Sequence, residues 1–141
     1  MRLPDAGRLP MNIFHLTPNA DGTWSESDLY SFSDGSDGGS PGGGVAFDAS
    51  GNLYGTTVLG GNGNECDGQG CGTVYELSPA FGGGWSESVL YRFNDGSDGA
   101  NPVGSVVLDP AGNLYGVADI GGVYGDRGGV VSPSSAPVCR V

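Results

Sequence analysis

The chain contains no lysine. Its five basic residues are all arginine, set against 16 acidic ones, for a formal net charge of −11. A surface of that sign repels nucleic-acid phosphates and anionic lipid, so neither is an expected partner. Charged residues of both signs amount to only 15%, yet no apolar run approaches the ~20 residues a bilayer-crossing helix needs. Membrane insertion is therefore not expected. One histidine and three cysteines could supply at most a single four-ligand zinc site. No Gly-x-Ser-x-Gly elbow, phosphate-binding loop or zinc-hydrolase motif occurs, so no catalytic residue and no organic cofactor is expected. The opening segment, MRLPDAGRLPMNIFHL, lacks the continuous apolar core of a signal peptide.

What the chain has instead is glycine, 29 of 141 residues, roughly three times the usual share. Each interior glycine costs a helix about 1 kcal/mol relative to alanine, so long helices are disfavoured while short strands and tight turns are not. The apolar residues fall in short alternating runs, a pattern of ordered strands rather than of a disordered tract.

The sequence is also written twice. A shift of 61 residues superposes 12–61 on 73–122 without a gap, with about half the positions identical. WSES at 24–27 matches 85–88, DGSDG at 34–38 matches 95–99, and GNLYG at 51–55 matches 112–116. Residues 1–11 are expected to form an irregular N-terminal segment, 62–72 a glycine-rich loop carrying two cysteines, and 123–141 an irregular tail or the degenerate start of a third unit. Each unit holds four short strands, which in the second copy are predicted at 73–77, 85–93, 105–109 and 113–117. Val89, Tyr91 and Phe93 alternate with Ser88, Leu90 and Arg92, and Asp-Gly pairs punctuate the turns. The expected fold class is all-β: two tandem four-stranded antiparallel units resembling β-propeller blades. Two blades cannot close a ring of about four to eight. The chain is thus expected to be part of a longer array, or to associate with itself.

The succession GTVYELSP, WSESVLYRF, DGSDGANP, VVLDPAGNLYG and a closing GG resembles the GloVer repeat of bacterial choice-of-anchor tandem repeat proteins over residues 12–122. That resemblance implies a propeller-like array, an extracellular or cell-envelope location, further repeats, and no defined activity.

Three constellations invite a functional reading. Cys66 and Cys71, with four residues between them in a flexible loop, suit a disulfide of modest effect; free thiols and half of a metal site are the alternatives. Cys139 in the tail is left over. Asp34, Asp37, Asp95 and Asp98 in the two DGSDG loops could curl around Ca²⁺, but two carboxylates per loop are few for a cation that takes about six to eight oxygens. A turn in which Asp accepts from its own backbone, copied with the unit, explains the same residues. Trp24 and Trp85 could stack on sugar rings in a carbohydrate-binding or carbohydrate-processing groove, or could pack between blades. Glu26 and Glu87 recur with them and are expected on exposed faces, and His15, which aligns with Glu76, is expected on the solvent side of a strand. The functional reading is a non-catalytic extracytoplasmic scaffold or binding module with a glycan or protein ligand.

Overall fold

The computed structural model describes residues 11–94, 98–121 and the backbone of 138–140. Each unit supplies the four strands its periodicity predicts. The first gives β1 (Met11–Pro18), β2 (Trp24–Phe32), β3 (Gly39–Phe47) and β4 (Leu53–Leu59). The second gives β5 (Thr73–Pro79), β6 (Trp85–Arg92), β7 (Ala100–Leu108) and β8 (Leu114–Ile120), and a short β9 (Val138–Arg140) follows. Every pairing is antiparallel. Among the described residues there is no helix, and so none long and apolar enough to cross a membrane.

The sheets are out of phase with the repeat. β1 pairs only with β2, β3 to β6 form one four-stranded meander, and β7, β8 and β9 form a third sheet. The complete blade therefore takes two strands from each unit, and the unit boundary at 62–72 lies in its middle. An alignment of two copies fixes the period of a repeat and leaves the phase of its sheets open. The 62–72 loop sets the phase by folding β5 back along β4. Gly60 N–H donates to Gln69 O at 2.8 Å and Gly72 N–H to Gly60 O at 3.1 Å. The result is an all-β, open, propeller-like arrangement: a two-stranded sheet, one whole four-stranded blade and a third sheet of two long strands and the short β9.

β3 and β7 begin earlier than the predicted third strands because Pro41, Pro102 and the glycines around them look like loop. Both strands shift register at the same place in the unit, between Gly42 and Ala46 and between Val103 and Val107. The two shifts meet. A Cβ on Gly43 would lie 2.3 Å from the carbonyl carbon of Gly104, so only glycine permits this backbone approach. Thr56 Oγ1 donates across the junction to Gly104 O at 3.1 Å, and Gly44 N–H donates to Ser105 Oγ at 2.9 Å.

Two apolar clusters fill the spaces between sheets. Phe32, Leu53, Tyr75 and Leu77 lie between the β1–β2 sheet and the whole blade. Val74, Phe93, Ala100, Val106, Leu114, Ala118 and Cys71 lie between that blade and β7–β8. Cys66 and Cys71 are disulfide-bonded, with their Cα atoms 5.3 Å apart. Because Cys71 is also a core residue, the bond ties the connecting loop to the second cluster. Reduction is expected to lower stability by about 2 kcal/mol, the value for so short a closed loop. Thermal melts with and without dithiothreitol measure it, and identical melting temperatures would show the loop to be held by its hydrogen bonds alone.

Candidate functional site

The DGSDG turn is built around one carboxylate. Asp37 accepts from Ser33 N–H (2.8 Å), Ser33 Oγ, Gly35 N–H (3.3 Å) and the Tyr30 hydroxyl (3.1 Å). These bonds hold its pKa below the usual carboxylate value, although burial acts the other way and is the largest single influence. Asp98 repeats the pattern in the second copy, accepting from Tyr91 Oη at 2.9 Å and Asn94 N–H at 3.2 Å. Asp34 adopts φ 63°, a backbone conformation that aspartate tolerates better than most residues. Asp95 lies outside the described residues. No group of three or more His, Cys, Asp or Glu among the described residues is placed to share a metal ion.

A second set of carboxylates does the same work in the β3–β4 and β7–β8 hairpins. Asp48 accepts from Ser50 N–H, Asn52 N–H, Asn52 Nδ2 and Tyr54 Oη at 2.8–3.0 Å. Asp109 accepts from Ala111 N–H, Asn113 N–H, Asn113 Nδ2 and Tyr115 Oη at 2.7–3.0 Å. In both, the Asn side-chain bond is the largest influence holding the carboxyl below its ordinary pKa. The signal for the clasp was available in the repeated D-x-x-G-N-L-Y spacing, since Asn at +4 and Tyr at +6 recur with Asp.

The DGSDG loop of the first unit also joins the sheets. Arg92, at the end of β6, donates from Nε and Nη2 to Ser36 O at 3.3 and 3.1 Å. This arginine aligns with Ser31 of the first unit, so the bond is specific to the junction between the first sheet and the whole blade.

Trp24 and Trp85 start β2 and β6, opposite Pro18 and Pro79. They differ in surroundings. Trp24 is 63% exposed, whereas Trp85 is half-buried against the first cluster. Glu26 is exposed, as is His15. Glu87 shares the inward face of β6 with Trp85, Val89 and Tyr91. Its Oε1 is enclosed without a hydrogen-bond partner among the described residues. Burial, reinforced by the negative charge of Asp37 and opposed by Arg92, pushes its pKa above the usual value. The two copies thus hold identical residues in unequal environments, because this face of β6 is covered by the β1–β2 sheet while the same face of β2 is exposed over Trp24–Asp28. Cys139 falls in β9, opposite Gly116.

Comparison with protein-family models, curated proteins and solved structures returns no match to this chain.

Proposed function

We propose that the chain is a non-catalytic propeller-type scaffold or binding module that works as part of a larger β-assembly outside the cytoplasm. The observation that carries this reading is the employment of its carboxylates. Asp37, Asp48, Asp98 and Asp109 each accept a tyrosine hydroxyl and backbone N–H groups of their own turn. Their oxygens build loops. The large exposed side chains are apolar instead: Phe14, Leu16, Trp24, Phe47 and Phe81 among them. An open sheet edge with apolar side chains favours binding to protein. The Cys66–Cys71 bond agrees with an oxidising compartment, and the resemblance to GloVer repeats agrees with an exported or envelope-anchored array.

A second reading, a carbohydrate-binding or carbohydrate-processing propeller, has one observation in its favour: Trp85 and the raised-pKa Glu87 sit two residues apart on one strand face. A panel of chromogenic glycosides and esters, together with a glycan array, separates the two. The scaffold reading expects no turnover above buffer and no glycan retained. Turnover lost in Glu87→Gln, or glycan binding lost in Trp85→Ala with an unchanged circular dichroism spectrum, would replace it with the carbohydrate reading.

A further inference from the structure

In the whole blade β5 lies along β4 in the register Leu53↔Leu77, Tyr54↔Glu76, Gly55↔Tyr75, Thr56↔Val74 and Thr57↔Thr73. Gly55 is needed there. A Cβ on it would stand 2.3 Å from Tyr75 Oη, so the tyrosine ring lies directly over the glycine. From that seat Tyr75 packs edge-on against Phe32, with ring centroids 5.0 Å apart, and it belongs to the cluster that includes Leu53.

By the 61-residue shift, β8 is the second copy of β4 and β1 is the first copy of β5. Among the described residues β1 has no strand in the place that β4 takes beside β5, and β8 carries only the three-residue β9 where β4 carries the whole of β5. On β1 the residues equivalent to Tyr75 and Leu77 are Phe14 and Leu16. Tyr75 and Leu77 are 1% and 0% exposed, but Phe14 and Leu16 are 59% and 44% exposed. On the other side, the equivalents of Phe32, Leu53 and Gly55 are Phe93, Leu114 and Gly116. These three line a shallow apolar recess with Val74, Val106 and Pro102. Over Gly116 the nearest described atom is Val106 Cγ1, 3.3 Å from where a Cβ would stand, and among the described residues no aromatic ring takes the place that Tyr75 takes over Gly55.

We propose that β1 of a second copy of this chain adds to the outer edge of β8, completing a four-stranded blade and seating Phe14 over Gly116. The β4–β5 template gives the register: Leu114 opposite Leu16 of the second copy, Tyr115 opposite His15, Gly116 opposite Phe14, Val117 opposite Ile13 and Ala118 opposite Asn12. This edge accepts an antiparallel strand, since β9 already pairs with Tyr115, Gly116 and Val117. β9 occupies three of the five positions, and a second copy takes all five and adds the apolar burial of Phe14 and Leu16. Each chain then contributes two blades in total, so closure at about four to eight blades needs about two to four copies. The inference rests on the propeller-blade reading and names the partner of its open edge.

Sedimentation equilibrium of the full chain across a wide concentration range tests it. The expected particle is a discrete assembly of two to four times 14.2 kDa. Phe14→Asp is expected to reduce it to a single chain, while Phe81→Asp, at a still more exposed phenylalanine in the β5–β6 turn, leaves it unchanged. A single chain at every concentration, or an assembly that survives Phe14→Asp, overturns the proposal. A second test does not depend on that variant folding. In a Cys139→Ser background, oxidation of Ile13→Cys paired with Val117→Cys is expected to give a ladder of covalent multimers, and each cysteine alone none. No ladder overturns the proposal. A monomer that still melts cooperatively would sink the strand exchange and leave the scaffold reading standing. Turnover or glycan binding in the assays above would remove the scaffold reading and leave the exchange to be judged by mass.

Discussion

Truncating Tyr75 to alanine is expected to cost about 3–5 kcal/mol, the range for removing a fully buried aromatic side chain. Tyr75 is 1% exposed and is the side chain that bridges Phe32 of the first sheet to Leu53 and Leu77 of the whole blade. In a chain of this length that loss corresponds to a fall in melting temperature of roughly 10–20 °C. Tyr75→Phe keeps the ring over Gly55 and is expected to cost less than about 1.5 kcal/mol. The repeat-equivalent truncation, Phe14→Ala, is expected to change the stability of the single chain by less than about 0.5 kcal/mol, because that side chain is already exposed. Calorimetry on dilute samples gives all three values. Equal losses at positions 14 and 75 would mean that the two strands share one environment, contrary to the sheet assignment.

The second large effect is a stability profile that falls at both ends of the pH scale. At the acid end, Asp21, Asp37, Asp48 and Asp109 have folded pKa values below 3.8. A depressed carboxyl stabilises the fold at pH above its unfolded value, and that contribution is lost as pH falls through the folded value. Stability is therefore expected to drop from about pH 4 downward. Glu87, raised by burial, works in the opposite direction, since its protonation favours the folded state. At the alkaline end, Tyr75 is pushed up to about 12 by burial and by the charge of Glu87. Tyr30 is pushed up to about 12 by burial and then by its bond to Asp37. A group whose pKa is raised on folding contributes fully below its unfolded value, here 10, and loses that contribution as pH rises toward 12. For the deeply buried Tyr75 the expected loss is about 2 kcal/mol; Tyr30 lies nearer water and adds less. Urea midpoints measured from pH 2 to 12 trace both limbs. Tyr75→Phe is expected to flatten the alkaline limb, and the Asp48→Asn, Asp109→Asn double variant the acid one. Limbs unchanged by these substitutions would assign the profile to other groups.

Much of this architecture is legible in the sequence because a duplicated chain is compared with itself. The strand count, the antiparallel order and the hairpins follow from matching WSES, DGSDG and GNLYG. The phase of the sheets does not, since β4 could pair with β1 in its own unit or with β5 in the next and the alignment looks the same. Long-range packing decides it, through the Tyr75 ring on Gly55 and the loop closed by Cys66 and Cys71. The candidate sites divide in the same way. The turn role of Asp37 is local and readable from Asp-Gly chemistry, whereas the contrast between Trp24 and Trp85, or between Glu26 and Glu87, depends on which copy has a sheet laid over it. Identical letters acquire different burial, so sequence identity alone cannot rank them. The aspartate clasps at 48 and 109 were readable in principle, because Asn and Tyr recur at fixed distances beyond Asp.

The most direct measurement for the account as a whole is the set of cross-strand nuclear Overhauser effects made by β4. Pairing across the unit boundary predicts strong backbone contacts of Tyr54 with Glu76 and of Thr56 with Val74, all within one chain. Contacts from Tyr54 to His15 and from Thr56 to Ile13 would mean instead that each repeat closes its own sheet, and the blade described here would not exist.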